Sequence, residues 1–496
     1  MTGTSVIAID QGTTSTRAIR YGLDGSVQAT AVRELTQFHP RPDWVEQDPE
    51  EIWTSVLDCA RAVLTDRVQA IGIANQRETI LLWDRQTGQP LYNAIVWQDR
   101  RTAAMCAQYL NDGVEPMIRN KTGLLLDPYF SATKLRWLLD NVGGARQRAD
   151  SGQLAAGTVD SFLLWRLTNG QVHGTDVTNA SRTMLYNISA WRWDEELLAL
   201  FDIPLYLLPD VHDNDHVFGY TTSSAVGRSI PIAGMVGDQQ AALIGQRCFS
   251  PGMVKSTYGT GCFLLANIGT KPRFSSHRLL TTAAYRIGNE PAYAMEGSIF
   301  VAGATIKWLR DGMGLIASAE ETERHAESVA ADHGVYLVPA FVGLGAPHWR
   351  SDVRAMISGL TLETGPAHIA RAALEAAAFQ TYDLVDTLAR DGIDRPTLLR
   401  VDGGMTSNNW FVQFLADVLG VRAERARNNE ATSAGAAYLA GLTVGHPLQQ
   451  AAQDKRGALY NVFEPKCDAD RRAQLVRGWH DAVDRVLAPC RLARCS

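Results

Sequence analysis

The chain has 496 residues, which is too many for one compact hydrophobic core, so two domains are the natural expectation. Its 46% hydrophobic and 20% charged residues are typical of a globular protein and exclude a disordered, collagen-like or coiled-coil chain. Forty-seven basic and 53 acidic side chains give a formal net charge of −6, without the basic excess that a nucleic-acid partner requires.

The N-terminus does not predict a secretory signal, because Val6–Ile9 is a short apolar run with no positive charge before it. No apolar stretch approaches the roughly 20 residues of a membrane helix, so stable membrane insertion is not expected. The cysteines are odd in number, scattered and without a C-x-x-C pair, which favours reduced thiols and a cytoplasmic location. They are Cys59, Cys106, Cys248, Cys262, Cys467, Cys490 and Cys495.

Short apolar runs bounded by turn residues predict buried strands in the first half of the chain. A helix over Ser131–Asn141 is predicted from leucines that recur on one side. The predicted strands are Ser5–Ile9, Gln69–Ala74, Thr79–Trp83 and Asn93–Trp97.

The second half repeats this alternation after the Pro251–Gly252 turn. Met253–Leu265 is strand-like, and apolar spacing predicts a long helix over His368–Arg390. A strand over Leu398–Val401 then precedes a helix over Asn408–Leu419 that Asn408 caps. We therefore expect two α/β domains, residues 1–248 and 249–496.

Four polar, glycine-containing turns accompany the predicted strands. By itself, each is explained at least as well by an ordinary hairpin turn, helix cap or strand–turn–helix, and for Gly237–Gln240 and Asp402–Asn408 that explanation is the stronger one. Their order along the chain is nevertheless typical of the actin-like ATPase (ribonuclease H-like) fold. It is a phosphate turn, a central aspartate, a second phosphate turn and a glycine pair. We therefore predict two such lobes with ATP in the cleft between them. The four segments are Asp10–Arg17, Gly237–Gln240, Ser256–Phe263 and Asp402–Asn408.

The turns in Asp10–Arg17 and Ser256–Phe263 are suited to binding phosphate without a lysine. No Gly-Lys pair occurs in the sequence, which excludes the lysine-bearing P-loop. In Asp10–Arg17, backbone N–H groups and hydroxyls suit phosphate oxygens, and Asp10 suits a hydrated Mg²⁺.

Arg77 and Glu78 lie between two predicted strands, where adjacent charges form an ordinary surface pair unless the chain turns. With a turn, the two side chains are suited to binding vicinal hydroxyls.

The chain resembles the FGGY carbohydrate kinase family over nearly its whole length, from Asp10 to about Trp479. The resemblance is greatest to the members that phosphorylate glycerol. It rests on Asp10–Arg17, Trp44–Pro49, Asn75–Thr79, Tyr92–Gln98, Asp127–Ser131, Asn179–Leu185, Gly237–Ala242, Thr257–Phe263, Trp308–Asp311, Gly343–Pro347 and the signature regions Tyr129–Asn141 and Ala355–Glu375.

This resemblance implies Mg²⁺-dependent transfer of a phosphoryl group from ATP to glycerol in a homo-oligomer, a dimer or a tetramer. It implies that Asp238 is the general base and, with Asp10, a Mg²⁺ ligand. The implied glycerol-binding residues are Arg77, Glu78, Trp97, Tyr129, Asp238, Gln239 and Phe263. The implied nucleotide-binding residues are Thr13, Thr14, Ser15, Arg17, Thr260, Gly303, Gly404 and Asn408.

Two departures from the family pattern bear on nucleotide binding and on regulation. Lys307 replaces a glutamine that is common near the adenine, so that contact is not carried over. Thr221–Ser229 lacks both the glycine-rich inhibitor loop and the phosphorylated histidine of regulated members.

A kinase of a pentulose or a four-carbon polyol is the nearest alternative function, followed by a chaperone or filament ATPase. A dehydrogenase is disfavoured, because no predicted strand leads into G-x-G-x-x-G.

Overall fold

A computed structural model describes residues 3–427, 430–446, 448 and 460–488. Cys490 and Cys495 lie outside the described residues, and the other five cysteines are free thiols. Within the described part of the chain, no helix is both long and apolar enough to cross a membrane.

The first half of the chain, up to residue 248, is built on a six-stranded sheet of order β13-β14-β5-β1-β2-β3. Strand β1 is parallel to β5 and antiparallel to β2, and β14 is parallel to β5. The strands of this half are β1 (Ser5–Gln11), β2 (Ser15–Gly22), β3 (Val27–Glu34), β4 (Glu46–Gln47), β5 (Val68–Asn75), β6 (Ile80–Asp84), β7 (Ala94–Ile95), β8 (Leu154–Thr158), β9 (Gly174–Asp176), β10 (Tyr186–Asn187), β11 (Arg192–Trp193), β12 (Asp210–His212), β13 (Gly219–Tyr220) and β14 (Pro231–Gly237).

The second half, from residue 249, is built on a seven-stranded sheet of order β17-β18-β16-β15-β21-β22-β23. Strand β15 is antiparallel to β16 and parallel to β21, which repeats the arrangement around β1. This repeat is the predicted two-lobed α/β architecture. The strands are β15 (Val254–Tyr258), β16 (Cys262–Gly269), β17 (Leu280–Ile287), β18 (Glu290–Ile299), β19 (Tyr336–Val338), β20 (Met356–Ser358), β21 (Leu398–Asp402), β22 (Arg422–Ala426) and β23 (Tyr460–Phe463).

The helices cover the faces of the two main sheets. The predicted helix over Ser131–Asn141 is confirmed, and the long predicted helix begins two residues early, at Pro366. The helices are α1 (Pro49–Val63), α2 (Ala103–Asn111), α3 (Glu115–Thr122), α4 (Ser131–Asn141), α5 (Ala145–Asp150), α6 (Val159–Leu167), α7 (Val177–Ala180), α8 (Glu195–Phe201), α9 (Ser223–Val226), α10 (Asp238–Gly245), α11 (Gly303–Lys307), α12 (Glu321–Ser328), α13 (Pro366–Arg390), α14 (Asn409–Leu419), α15 (Ala431–Thr443) and α16 (Ala469–Leu487).

Helix α15 belongs to the second half of the sequence but packs on the main sheet of the first half. Ala436, Leu439 and Ala440 share a buried apolar cluster with Val6 and Ala70 of that sheet. The helix also crosses α10 so closely that a Cβ atom added at Gly435 would lie 2.0 Å from the carbonyl oxygen of Ala241. The α10–α15 pair therefore joins the two halves.

Two strand predictions differ from the structure near the cleft. Met253–Leu265 is a hairpin instead of one strand, because Gly259–Gly261 turns the chain between β15 and β16. In the predicted strand Asn93–Trp97, only Ala94–Ile95 pairs as a strand. Trp97 leaves the sheet and donates its backbone N–H to the Thr79 hydroxyl at 3.2 Å. Both differences place side chains at the cleft.

Candidate active site

A cavity of about 800 Å³ lies between the two halves of the chain and receives side chains from both. Asp10, Ser15 and Arg17 are the only predicted site residues that do not form its walls. The predicted residues that line it are Thr13, Thr14, Arg77, Glu78, Trp97, Tyr129, Asp238, Gln239, Thr260, Phe263, Gly303, Gly404 and Asn408.

The first polar turn connects β1 to β2 and is closed by a hydrogen bond from the Gly12 N–H to the Ser15 carbonyl, 3.0 Å. The Thr13 hydroxyl accepts a hydrogen bond from Trp97 Nε1 at 2.9 Å, and the Gln47 amide donates to the Thr13 carbonyl at 2.6 Å. Thr14 is exposed at the tip. The turn is thus a hairpin turn in shape, held so that Thr13 and Thr14 face the cavity.

Asp10 and Arg17 lie behind this turn. Burial, followed by the negative charge of Asp238, raises the pKa of Asp10 to about 7. The Arg17 guanidinium donates to both carboxylate oxygens of Glu430, at 2.7 and 2.5 Å. Arg17 is therefore engaged by the second half of the chain, and its predicted contact with phosphate stays a prediction.

Arg77 and Glu78 lie where the chain turns between β5 and β6. Glu78 has a positive φ of 63°, and the Thr79 N–H donates to the Arg77 carbonyl at 2.7 Å. The turn brings both side chains to the cavity wall, although each is almost fully buried. Binding of vicinal hydroxyls by Arg77 and Glu78 together requires such a turn.

Asp238 begins α10 immediately after β14. Its carboxylate accepts the Gln239 N–H at 2.7 Å, lies 3.3 Å from Arg77 Nε, and leaves 27% of the side chain exposed to the cavity. Burial raises the pKa of Asp238, while the charges of Arg77 and Lys255 lower it, and the net direction is upward. A carboxylate with a raised pKa facing a cavity is suited to accept a proton.

Lys255 is a buried lysine that the sequence analysis did not select. Its ammonium donates to the Gln239 side-chain oxygen at 2.6 Å and to the Thr257 hydroxyl at 3.0 Å, and burial lowers its pKa. The amide of Gln239 is thereby oriented from the second half of the chain. The sequence has few lysines, and Lys255 directly precedes the polar turn Ser256–Phe263. That position was the signal that could have identified it.

Arg182 and Glu296 were also missed. Arg182 Nε donates to Glu78 at 2.6 Å, and its Nη2 donates to Glu296 at 3.0 Å. Arg77 donates to both oxygens of Glu296, at 2.7 and 3.0 Å. The second half of the chain thus supplies the carboxylate that holds the guanidinium of Arg77. An acidic residue inside the apolar strand β18 was the signal for Glu296.

Aromatic side chains form the apolar walls beside these groups. The ring of Trp97 meets Tyr129 edge-on at 5.7 Å and Phe263 at 6.0 Å. The backbone carbonyl of Tyr129 is held by the buried ammonium of Lys134 at 2.9 Å. The result is a narrow pocket with polar groups at one side, which suits a short polyol.

Two glycines, Gly303 and Gly404, are among the residues that line the other end of the cavity. Gly303 donates its N–H to the Gly259 carbonyl at 3.0 Å, and a Cβ atom there would lie 2.6 Å from that oxygen. A Cβ atom at Gly404 would meet open space. Asn408 caps α14 by accepting the Phe411 N–H at 2.9 Å, as predicted. Lys307 lies on the same wall.

Comparison with known proteins decides the family. The N-terminal domain of the FGGY family of carbohydrate kinases matches residues 5–245, and its C-terminal domain matches residues 254–444. The chain belongs to this family. The resemblance identified from the sequence is confirmed, and the chain is a kinase with the FGGY fold.

Several FGGY kinases are similar over almost the whole chain. A glycerol kinase of Gluconobacter oxydans is 55% identical over 489 residues, covering 98% of this chain and 96% of that protein. A glycerol kinase of Rhodospirillum centenum is 55% identical over 97% of this chain and 98% of that protein. The crystal structure of Plasmodium falciparum glycerol kinase with ADP superposes with a TM-score of 0.90 at 39% identity, covering 98% and 99% of the two chains. A ligand-bound xylulose kinase of Lactobacillus acidophilus, at 21% identity and a TM-score of 0.86, shares the fold.

Proposed function

We propose that this protein transfers the γ-phosphoryl group of ATP to glycerol and releases sn-glycerol 3-phosphate and ADP. The observation that carries the proposal is the cavity, in which polar groups suited to hydroxyls and aromatic walls lie next to two hairpin turns suited to phosphates. The similarity to glycerol kinases over nearly the full chain identifies the polyol.

In this proposal, the rings of Trp97 and Phe263 pack against the carbon backbone of glycerol. Its hydroxyls bind Arg77, Glu78, Tyr129 and Asp238, with Gln239 beside them. Because a small polyol offers few contacts, discrimination depends on hydrogen bonds to its hydroxyls within a tight pocket.

Asp238 accepts the proton of the attacking hydroxyl as the oxygen approaches the γ-phosphorus in line with the leaving oxygen of ADP. Phosphoryl transfer depends chiefly on positioning and on stabilisation of charge, and one carboxylate suffices as the base. Burial raises the pKa of Asp238, which strengthens it as a proton acceptor.

The nucleotide is proposed to bind at the opposite end of the cavity. Thr13, Thr14, Ser15, Arg17 and Thr260 contact the phosphates. Gly303, Gly404 and Asn408 contact the nucleoside. Backbone N–H groups and hydroxyls bind phosphate locally, so no basic surface is needed.

The residues present fit a hydrated Mg²⁺ carried by ATP. Among the described residues, no three His, Cys, Asp or Glu side chains are grouped to hold a metal. The negative charge of Asp238 helps to raise the pKa of Asp10, and a cation near these two carboxylates would offset their repulsion. Asp10 and Asp238 would hold such an ion, with water and phosphate oxygens as its other ligands. When bound, Mg²⁺ supplies positive charge to the phosphates.

Three further points are proposed from the sequence and its family resemblance. Residues 1–248 and 249–496 are the two lobes, with α15 packed on the first. The protein forms a dimer or tetramer and is located in the cytoplasm. Light scattering of the purified protein measures its oligomeric state.

A panel of polyols and sugars, read out as ADP release, tests the proposed activity. We expect glycerol to give the highest kcat/KM, because the aromatic walls leave little room for a larger sugar. A ketopentose with comparable kcat/KM would instead support the alternative of a pentulose kinase.

A further inference from the structure

The carboxylate of Glu296 lies between two arginines from the other half of the chain. Glu296 is in β18, whereas Arg77 follows β5 and Arg182 follows α7. Arg77 donates from Nη1 at 2.7 Å and from Nη2 at 3.0 Å, and Arg182 donates from Nη2 at 3.0 Å. The side chains of Arg182 and Glu296 are 0% exposed, and that of Arg77 is 2% exposed. A bidentate pair of this kind fixes both the position and the plane of the guanidinium.

The same arginines contact the residues that face the cavity. Arg77 Nε lies 3.3 Å from Asp238, and Arg182 Nε donates to Glu78 at 2.6 Å. Arg77 Nη1 also donates to the Gln240 side-chain oxygen at 3.2 Å. Glu296 itself does not line the cavity. Its effect on a bound substrate therefore passes through the two arginines.

We propose that Glu296 is a positioning residue for the polyol, because it holds Arg77 and Arg182 in place from the opposite half of the molecule. The proposal rests on the proposed function, since it presumes that Arg77 binds a hydroxyl of glycerol. It adds a role for a residue that never touches the substrate. Because Glu296 and the arginines lie in different halves, the polyol site is complete only when the two halves are in contact.

A role in stability alone is the alternative explanation. A buried ion pair that loses one partner is strongly destabilising, whatever its distance from an active site. The two explanations differ in what they predict for the substrate. A positioning role acts on the interaction with one hydroxyl, whereas a purely structural role lowers the amount of active protein for every substrate alike.

Glu296→Gln, compared with Glu424→Gln, provides the first test. Glu424 is the control, because it too is buried and paired with two arginines but lies outside the cavity. Its partners are Arg400 at 3.4 Å and the more exposed Arg422 at 2.8 Å. We expect Glu296→Gln to lower kcat/KM for glycerol by roughly 10²-fold, the usual effect of a displaced binding group, with KM for ATP changed little. Glu424→Gln should leave both near wild type.

Glu296→Asp is the second variant. It keeps the negative charge but is one methylene shorter, so we expect an intermediate loss of kcat/KM for glycerol. If Glu296→Gln does not fold, the comparison of Glu296→Asp with Glu424→Asp carries the same test.

Substrates that lack one hydroxyl, 1,2-propanediol and 1,3-propanediol, provide the decisive readout. If Glu296 acts through a hydroxyl contact, its substitution should lower kcat/KM much less for one of these diols than for glycerol. An equal fold-loss for glycerol and both diols, or a Glu296→Gln variant that matches Glu424→Gln, would overturn the role of Glu296. A wild-type enzyme that phosphorylates no polyol would overturn the proposed function itself, which the same assay measures first.

Discussion

At the scale of single residues, the protonation of Asp238 is set by opposing effects. Burial raises its pKa, and the nearby charges of Arg77 and Lys255 lower it. Its position at the start of α10 is fixed by the hydrogen bond from the Gln239 N–H, 2.7 Å. The residue is therefore both oriented and able to accept a proton in the cavity.

We expect Asp238→Asn to lower kcat by roughly 10²-fold or more, because the amide keeps the size of the side chain but cannot accept the proton. The affinity for a non-hydrolysable ATP analogue should be retained. Steady-state kinetics and calorimetry measure the two quantities separately. Turnover close to wild type would show that Asp238 is not the base.

Site residues could be predicted where local sequence identifies them and were missed where their role depends on a distant partner. Arg77, Glu78 and Asp238 follow strands and belong to sequence stretches typical of the family, so they could be predicted. Glu296 could not be assigned a partner, because 219 residues separate it from Arg77. The turn that brings Arg77 and Glu78 to one wall depends on a positive φ at a glutamate, which no local sequence preference indicates.

At the scale of elements, the contact between α10 and α15 depends on glycine. We expect Gly435→Ala to destabilise the protein by about 1–3 kcal/mol, the usual cost of overpacking, because its Cβ would lie 2.0 Å from the Ala241 carbonyl oxygen. Alanine favours a helix over glycine by roughly 1 kcal/mol, and this gain offsets only part of the overpacking cost. Gly143→Ala is the control, since a Cβ there meets open space. Denaturant unfolding that ranks the two equally would contradict the expectation.

Helix α16 is attached to α13 through Asp383, which accepts from Trp479 Nε1 at 2.7 Å and pairs with His480 Nε2 at 2.8 Å. The hydrogen bond to Asp383 raises the pKa of His480. The stability from this pair is therefore fully present below the ordinary histidine pKa and is lost as the pH rises through the raised value.

His480→Gln tests this linkage, because glutamine keeps a donor but does not titrate. We expect wild type to exceed the variant in Tm at about pH 5.5 and the difference to shrink at about pH 8.5, with a contribution below about 1 kcal/mol for a half-exposed pair. A Tm difference that is independent of pH would contradict the assignment.

The elements themselves were predictable to different degrees. The helix over Ser131–Asn141 and the Asn408 cap follow from spacing and capping residues close in sequence. Trp97 leaves its predicted strand because its backbone and indole N–H groups bond to Thr79 and Thr13 from other segments. The packing of α15 on the opposite sheet is likewise a tertiary contact, which periodicity within α15 does not reveal.

At the scale of the whole molecule, the net charge of −6 argues against a nucleic-acid partner but carries no information about a nucleotide site. We propose instead that phosphate groups bind locally, at the hairpin turns between strands. The two halves meet around the cavity through the Arg77–Glu296 and Arg17–Glu430 pairs and the Lys255–Gln239 hydrogen bond. In the proposed binding mode, both substrates therefore contact a surface that neither half forms alone.

This arrangement predicts that glycerol and nucleotide bind cooperatively. Each ligand should stabilise the same contact between the two halves. The ligand that binds first orders this contact, so the second ligand should bind with a lower free-energy cost. We expect a non-hydrolysable ATP analogue to tighten glycerol binding by about 5-fold or more in calorimetry, with the reciprocal effect of equal size. Trp97→Phe should keep the aromatic wall but reduce the coupling, because it loses the 2.9 Å hydrogen bond to Thr13 on the phosphate turn. Independent binding of the two ligands to wild type would show that the halves do not transmit occupancy between the two ends of the cavity.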